Sequence, residues 1–261
     1  ETEAYRYPAP AGVSILLTGA SGSLGRELAL RHAAPGVRFR LWGRDADRLA
    51  DTSQVLSALG ANVHVTSLDL TKTGEAVQKL MEQDQSERFD IAYLVAGTGE
   101  TRAPGDRIEN HLLVDRSIQT NFTAPAAMAS ALANRMTERG SGRIVLIGSA
   151  AGHHSLPFAS AYSGSKAGLA RFSDALRLAA RPLGVTVTLA ATGFLDTPSA
   201  RKQAKAPPFL LPVDEAARRI VRAGEKGLGH YVTPWPFMVM RAVDHLLPAP
   251  IRDAILSRLE G

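Results

Sequence analysis

The chain has no cysteine among its 261 residues. Disulfides, thiolate-held metals and cysteine nucleophiles are therefore excluded. Redox compartment leaves no trace in such a sequence. Aromatic residues are scarce, at 6%, and none interleave with a basic cluster of the kind that grips nucleic acid. No apolar run nears the ~20 residues of a membrane span. Residues 1–10 lack the layout of a secretory leader, so a cytoplasmic location is expected. No internal repeat and no dividing linker stand out, and 1–261 is read as a single domain.

What is present suits a globular protein. Apolar residues make up 45% and charged ones 21%, enough to bury a core without staples. The net charge of +5 fits a solvated basic surface or the attraction of an anionic cofactor or substrate.

Short apolar runs alternate with helical stretches. Strands are expected over 13–17, 37–42, 62–68, 90–95, 143–148, 185–190 and 230–233. Helices are expected over 24–33, 45–59, 75–83, 109–139, 159–180 and 213–226. Pro125 predicts a break or two helices within 109–139. The central runs are continuously apolar, as in strands covered on both faces. This order predicts an α/β fold, a Rossmann-type doubly wound parallel sheet of about seven strands. The stretch 197–212, rich in Pro, Ala and Lys, reads as a loop.

Thr18-Gly19-Ala20-Ser21-Gly22-Ser23-Leu24-Gly25 joins the first strand to the first helix. Glycines there permit a tight turn and close approach of backbone N–H groups to a pyrophosphate. A glycine-rich loop alone is a weak signal, but its strand-to-helix setting is the required one. The second strand ends at Trp42-Gly43-Arg44. An acid there would accept from the ribose hydroxyls of NAD. Instead Gly43 leaves space and Arg44 offers a fork for a 2′-phosphate, favouring NADP(H). Asp45 keeps NAD(H) open. Asp69 is placed to bond the adenine, with Leu70 beside it, or to cap a helix.

Tyr162 and Lys166 sit four apart near the start of a helix and share one face. A nearby ammonium is expected to lower the phenol pKa from its usual value near 10, making Tyr162 a usable acid/base. Ser149 follows the fifth strand directly, at the carboxyl end where open sheets place ligands.

Together these residues resemble the classical short-chain dehydrogenase/reductase family over nearly the whole chain, from Val13 to about Thr233. The Tyr-x-x-x-Lys motif matches Tyr162 and Lys166. The family serine matches Ser149, and the family asparagine matches Asn121. The resemblance implies that Asn121 helps hold a water linked to the lysine, and that Lys166 and Tyr162 also touch the cofactor. It implies cofactor contacts for Gly19, Ser21, Gly22, Ser23, Leu24, Gly25, Asp69, Leu70, Ala96, Gly97, Thr192, Gly193 and Thr197. Three departures stand out. Ser23 occupies the middle glycine place of the loop. The usual Asn-Asn-Ala-Gly reads Leu94-Val95-Ala96-Gly97. Thr192 replaces a proline.

The function implied is an NADP(H)-dependent oxidoreductase that interconverts a carbonyl and a secondary alcohol. Two other readings stay open: a sugar-nucleotide epimerase or dehydratase of the extended branch, and a non-catalytic NADP(H)-binding regulator. The expected partners are a small-molecule substrate and further copies of the chain, as a homodimer or homotetramer. No nucleic acid and no metal are expected. Arg201, Lys202 and Lys205 lie where the family carries its substrate lid; they read as a solvated loop or as a preference for an anionic substrate. His153 and His154 read as polar loop residues or as pocket lining. The segment 234–261 reads as an apolar, amphipathic extension. Packing on its own domain or a dimer partner is the plainer expectation, and contact with a membrane surface the sharper one.

Overall fold

The structure, a computed structural model, describes residues 7–198, 200–202 and 209–258. Residues 1–6, Lys205 and 259–261 lie outside these, as does the side chain of Lys202. The chain runs β1 (Ser14–Thr18), α1 (Ser23–His32), β2 (Arg38–Gly43), α2 (Ala46–Ala58), β3 (Asn62–Ser67), α3 (Thr73–Ser86) and β4 (Ile91–Leu94). It continues through α4 (His111–Ile118), α5 (Ala124–Glu138), β5 (Gly142–Ser149), α6 (Ser160–Ala180) and β6 (Val185–Thr192). The last part comprises β7 (Leu195–Asp196), β8 (Leu211–Pro212), α7 (Val213–Glu225), β9 (His230–Thr233), α8 (Pro236–Leu246) and α9 (Ala249–Leu256).

Seven parallel strands form one sheet in the order β3-β2-β1-β4-β5-β6-β9. All seven coincide with the expected apolar runs. The reason is burial: β1 and β4 are fully buried along their length, so no polar alternation is tolerated. One core cluster packs Leu17, Leu28, Leu41 and Ile220 on one face. A second packs Leu16, Leu94, Leu132 and Leu146 on the other. The chain leaves β1 toward β2 and returns at β4 on the opposite side. That reversal opens a crevice at the carboxyl ends of the strands.

One stretch departs from the sequence expectation, and the expected division within 109–139 is present with its cause placed elsewhere. The stretch 197–212 is not wholly loop: Leu195 and Asp196 pair in parallel with Leu211 and Pro212, and residues 200–202 make a 3₁₀ turn. Pro125 does not itself break a helix, because it stands at the start of α5, where a missing N–H is harmless. The break comes earlier, as a π-helical turn at Gln119–Thr123 between α4 and α5.

Candidate active site

The carboxyl ends of β1, β4, β5 and β6 meet at the crevice. Ser149 ends β5 and pairs with Thr192 of β6, which in turn pairs with Thr233 of β9. At the end of β1, the Thr18 hydroxyl accepts from the N–H groups of Val95 and Ala96 at 3.1 and 3.2 Å. The polar support missing from the 94–97 motif is thus supplied from the neighbouring strand.

The glycine loop is shaped by contacts that forbid side chains. Gly19 has φ +69°, and a Cβ there would lie 2.9 Å from Ala96 Cα. A Cβ on Gly25 would lie 2.2 Å from the Gly19 carbonyl oxygen. Gly22 is the N-cap of α1 and gives its first turn no side-chain acceptor. Ser23 is tolerated at the middle position because it is the first helical residue. The loop therefore leaves an uncapped helix N-terminus aimed into the crevice, a cradle with the polarity and clearance for a pyrophosphate. A cavity of about 410 Å³ opens beside it, lined by Ser21, Gly22, Ser23, Arg26, Arg48 and Arg201 among others. Leu24 is buried behind the loop.

At the end of β2, a Cβ on Gly43 would lie 2.8 Å from Ser21 Oγ, so the strand and loop are pressed together. Arg44 is exposed. Asp45 is occupied: its carboxylate caps α2 by accepting from Arg48 N at 3.0 Å. Asp69 does not cap a helix but accepts from Thr71 N at 3.0 Å. That hydrogen bond, helped by the Arg44 and Lys72 charges, holds its carboxyl below the usual range. Leu70 is buried next to it.

The residues expected to carry chemistry converge. Asn121 is fully buried on the π turn. Its amide accepts from Thr98 N at 2.8 Å and donates to Thr98 O at 2.9 Å. It thereby fixes the chain beyond β4 at Gly97, where a Cβ would meet Asn121 Oδ1 at 2.9 Å and Lys166 Nζ at 3.4 Å. Lys166 is buried, and its Nζ donates to the Ile147 carbonyl at 2.9 Å. Burial lowers its pKa to about 8. The Ser149 hydroxyl accepts from Ala151 N at 3.1 Å and acts on the Tyr162 phenol, favouring its ionised form.

One expectation is corrected. The Tyr162 pKa is raised, not lowered. Burial of the phenol outweighs the opposing pull of Ser149, and the Lys166 ammonium is engaged by the Ile147 carbonyl rather than by the phenol.

Sequence reasoning missed Glu109. It is 8% exposed, and its carboxylate accepts from Ala161 N at 2.7 Å and from the Ser160 hydroxyl. A carboxylate thus caps the N-terminus of α6, one residue before Tyr162. No local motif announces this, because donors and acceptor lie 51 and 52 residues apart in the chain.

Thr192 is buried in the sheet. Gly193 follows it, and a Cβ there would lie 2.1 Å from the Phe237 ring of α8. The Thr197 hydroxyl accepts from Ala200 N at 3.2 Å, which turns the chain after β7. Arg201 is bound to Asp196 through two hydrogen bonds of 2.6 and 2.9 Å, so its charge is already matched. His153 stacks on His230, with ring centroids 5.3 Å apart, and His154 Nδ1 lies 3.5 Å from Asp244 of α8. Both histidines join the Ser149 turn to the C-terminal segment.

A family model described as "short chain dehydrogenase" matches residues 14–208. A Myxococcus xanthus protein described as "Uncharacterized oxidoreductase" is 33% identical over 94% of this chain and 96% of its own. The Danio rerio "Dehydrogenase/reductase SDR family member 7B" is 31% identical over 70% of this chain, and the match spans 61% of that relative's length. Among solved structures, a Sphingobium yanoikuyae short-chain dehydrogenase in complex with NADPH superposes with a TM-score of 0.78 at 25% identity, covering 95% of this chain and 96% of that one.

Proposed function

Because the chain belongs to the short-chain dehydrogenase family and so is an NAD(P)-dependent oxidoreductase, we propose that it uses NADP(H) to interconvert a carbonyl and a secondary alcohol, with Tyr162 as acid/base. One observation carries this reading. Ser149 ends β5 at the strand ends, where its hydroxyl acts to draw the Tyr162 phenol pKa down, and Lys166 lies against the backbone of Gly97.

The glycine cradle at 19–25 fits a dinucleotide. Gly19, Ser21, Gly22, Ser23, Leu24 and Gly25 would hold its pyrophosphate end, Arg44, Asp69 and Leu70 its adenosine end, and Ala96, Gly97, Tyr162, Lys166, Thr192, Gly193 and Thr197 its nicotinamide end. Bound there, the nicotinamide would supply or accept the hydride. Ser149 and Tyr162 hold the substrate oxygen. Tyr162 gives it a proton in reduction and takes one in oxidation. Its raised pKa keeps it protonated at neutral pH, which suits reduction. Lys166 and the Asn121 turn restore the proton. The chain 1–261 acts as one domain, in a symmetric homodimer or homotetramer.

The preference for NADP(H) rests on Arg44, which is exposed at the end of β2, and on Asp45, whose carboxylate is spent on α2. Titration with NADPH and with NADH, followed by nicotinamide fluorescence, tests it. Arg44→Ala is expected to weaken NADPH roughly 10- to 100-fold, the worth of one charge-assisted contact, and to leave NADH unchanged. Equal binding of both cofactors, indifferent to the substitution, refutes the preference. Tyr162→Phe is expected to lower turnover of a carbonyl substrate at least about 100-fold with cofactor binding kept. Intact turnover would end the assignment of Tyr162.

A further inference from the structure

Helix α6 carries Tyr162 in its first turn but has no cap of its own. Its N-cap is Ala159, which offers no side-chain acceptor. The first hydrogen bond that closes the helix runs from Ser163 N to Ala159 O at 2.9 Å. The N–H groups of Ser160, Ala161 and Tyr162 therefore have no acceptor within the helix. Left so, the turn that sets the direction of the Tyr162 side chain is the part of α6 most prone to fray.

Glu109 answers this from another part of the fold. One oxygen of its carboxylate accepts from Ala161 N at 2.7 Å and from the Ser160 hydroxyl. The other oxygen is buried with no hydrogen-bond partner. Burying a half-satisfied carboxylate costs stability. A hydroxyl at 159 would cap the turn without burying a charge. Stability alone therefore does not account for Glu109 at this place.

Its own position is well fixed. Asn110, next in the chain, is the N-cap of α4 and accepts from Leu112 N at 2.9 Å. At its other end α4 runs into the π turn that bears Asn121. One helix thus carries Glu109 before its start and Asn121 after its end. On α6, Lys166 has a separate anchor, the Ile147 carbonyl. The backbone of Tyr162 is held from behind by Ser165 Oγ, which donates to the Tyr162 carbonyl at 2.8 Å. Glu109 supplies the hold in front.

We propose that Glu109 is a positioning residue, which fixes Ser160 and Ala161 so that the Tyr162 phenol stays aimed beside Ser149 and shielded from water. The role is exercised through backbone and makes no demand on the substrate. It rests on the reading of Tyr162 as acid/base, which turnover of Tyr162→Phe tests separately.

Titration of the Tyr162 phenol in the full chain tests it without a substrate. NMR of ring-labelled tyrosine follows the phenol over the pH range in which circular dichroism stays native, and Tyr162→Phe identifies its resonance among the five tyrosines. Burial raises this phenol's pKa. Glu109→Ala frees the turn and admits water, so the phenol should titrate at lower pH than in the wild type. Glu109→Gln keeps an acceptor oxygen without the charge and should hold the titration near the wild-type position. Ser160 is exposed, so Ser160→Ala should fold; it removes one of the two contacts and should move the titration the same way by less. NADPH affinity should stay within about threefold in all three, because Lys166 keeps its anchor. An unmoved titration in Glu109→Ala overturns the proposal and leaves the acid/base reading of Tyr162 standing. If Glu109→Ala does not fold, an unmoved titration in Ser160→Ala overturns it instead. Equal shifts in Glu109→Gln and Glu109→Ala also overturn it, since the charge and not the hold would then act on the phenol.

Discussion

Two walls of the crevice are built on glycines that have no room for a methyl group, and the obstacle differs. At Gly25 the Cβ would strike the carbonyl oxygen of Gly19, 2.2 Å away. At Gly193 it would strike the ring of Phe237, 2.1 Å away. The first obstacle is backbone, fixed by a strand and a helix on either side. The second is one side chain on a helix held by Phe237, an Asp244–His154 pair and Arg241 beside His230. The cofactor wall is therefore rigid by construction, and the C-terminal wall is adjustable. One fold can keep a constant dinucleotide cradle while its far wall varies to suit a substrate.

The sharpest way to break this contrast is Gly25→Ala. The backbone must shift to admit the methyl, and cofactor affinity should fall about 100-fold or more, with a lower melting temperature. Fluorescence titration and calorimetry would show it. Undiminished affinity would mean that the loop is not the rigid element.

A middle-sized effect is expected where the two walls meet, at Lys166. Burial lowers its pKa to about 8, so its ammonium is lost as pH rises through that value. The Tyr162 phenol, pushed up by burial, stays protonated over the same interval. Reduction should therefore lose up to about tenfold per pH unit above roughly pH 8. Lys166→Arg keeps a charge and should move that limb upward, although with a lower plateau. A limb that stays in place in the variant assigns it to another group.

The smallest effect is expected for Gly193→Ala. The Cβ points at Phe237 rather than into the cradle, so α8 yields. A stability loss of about 1–3 kcal/mol follows from overpacking. Cofactor affinity should stay within about threefold, while KM for the substrate changes more. A loss as large as that of Gly25→Ala would erase the contrast.

The central strands were legible because burial on both faces leaves mostly apolar side chains in them. Even β3, an exposed edge strand, was marked by its β-branched residues. Tyr162, Lys166 and Ser149 were legible as types and spacings and Asn121 through the family resemblance, and the structure brings them to one place. Their electrostatics were not. Spacing puts Lys166 on the face of Tyr162 but does not reveal that Ile147 O claims its proton donor. The short pairing of β7 with β8 and the capping role of Glu109 were equally hidden. Each is a hydrogen bond between distant stretches, chosen by packing and not by local preference. Arg201 stood between two readings, a solvated loop residue or a preference for an anionic substrate, and the sequence alone did not show that Asp196, five residues earlier, already answers its charge.

Glu109 turns the front of α6 into a mechanical linkage. Its carboxylate grips Ser160 and Ala161, and its backbone lies two residues ahead of α4. A push on the start of α4 is transmitted through one side chain to the turn that carries Tyr162. The turn that carries Tyr162 is thus tethered through one side chain to the start of a surface helix, a link that runs across the fold and not along the chain.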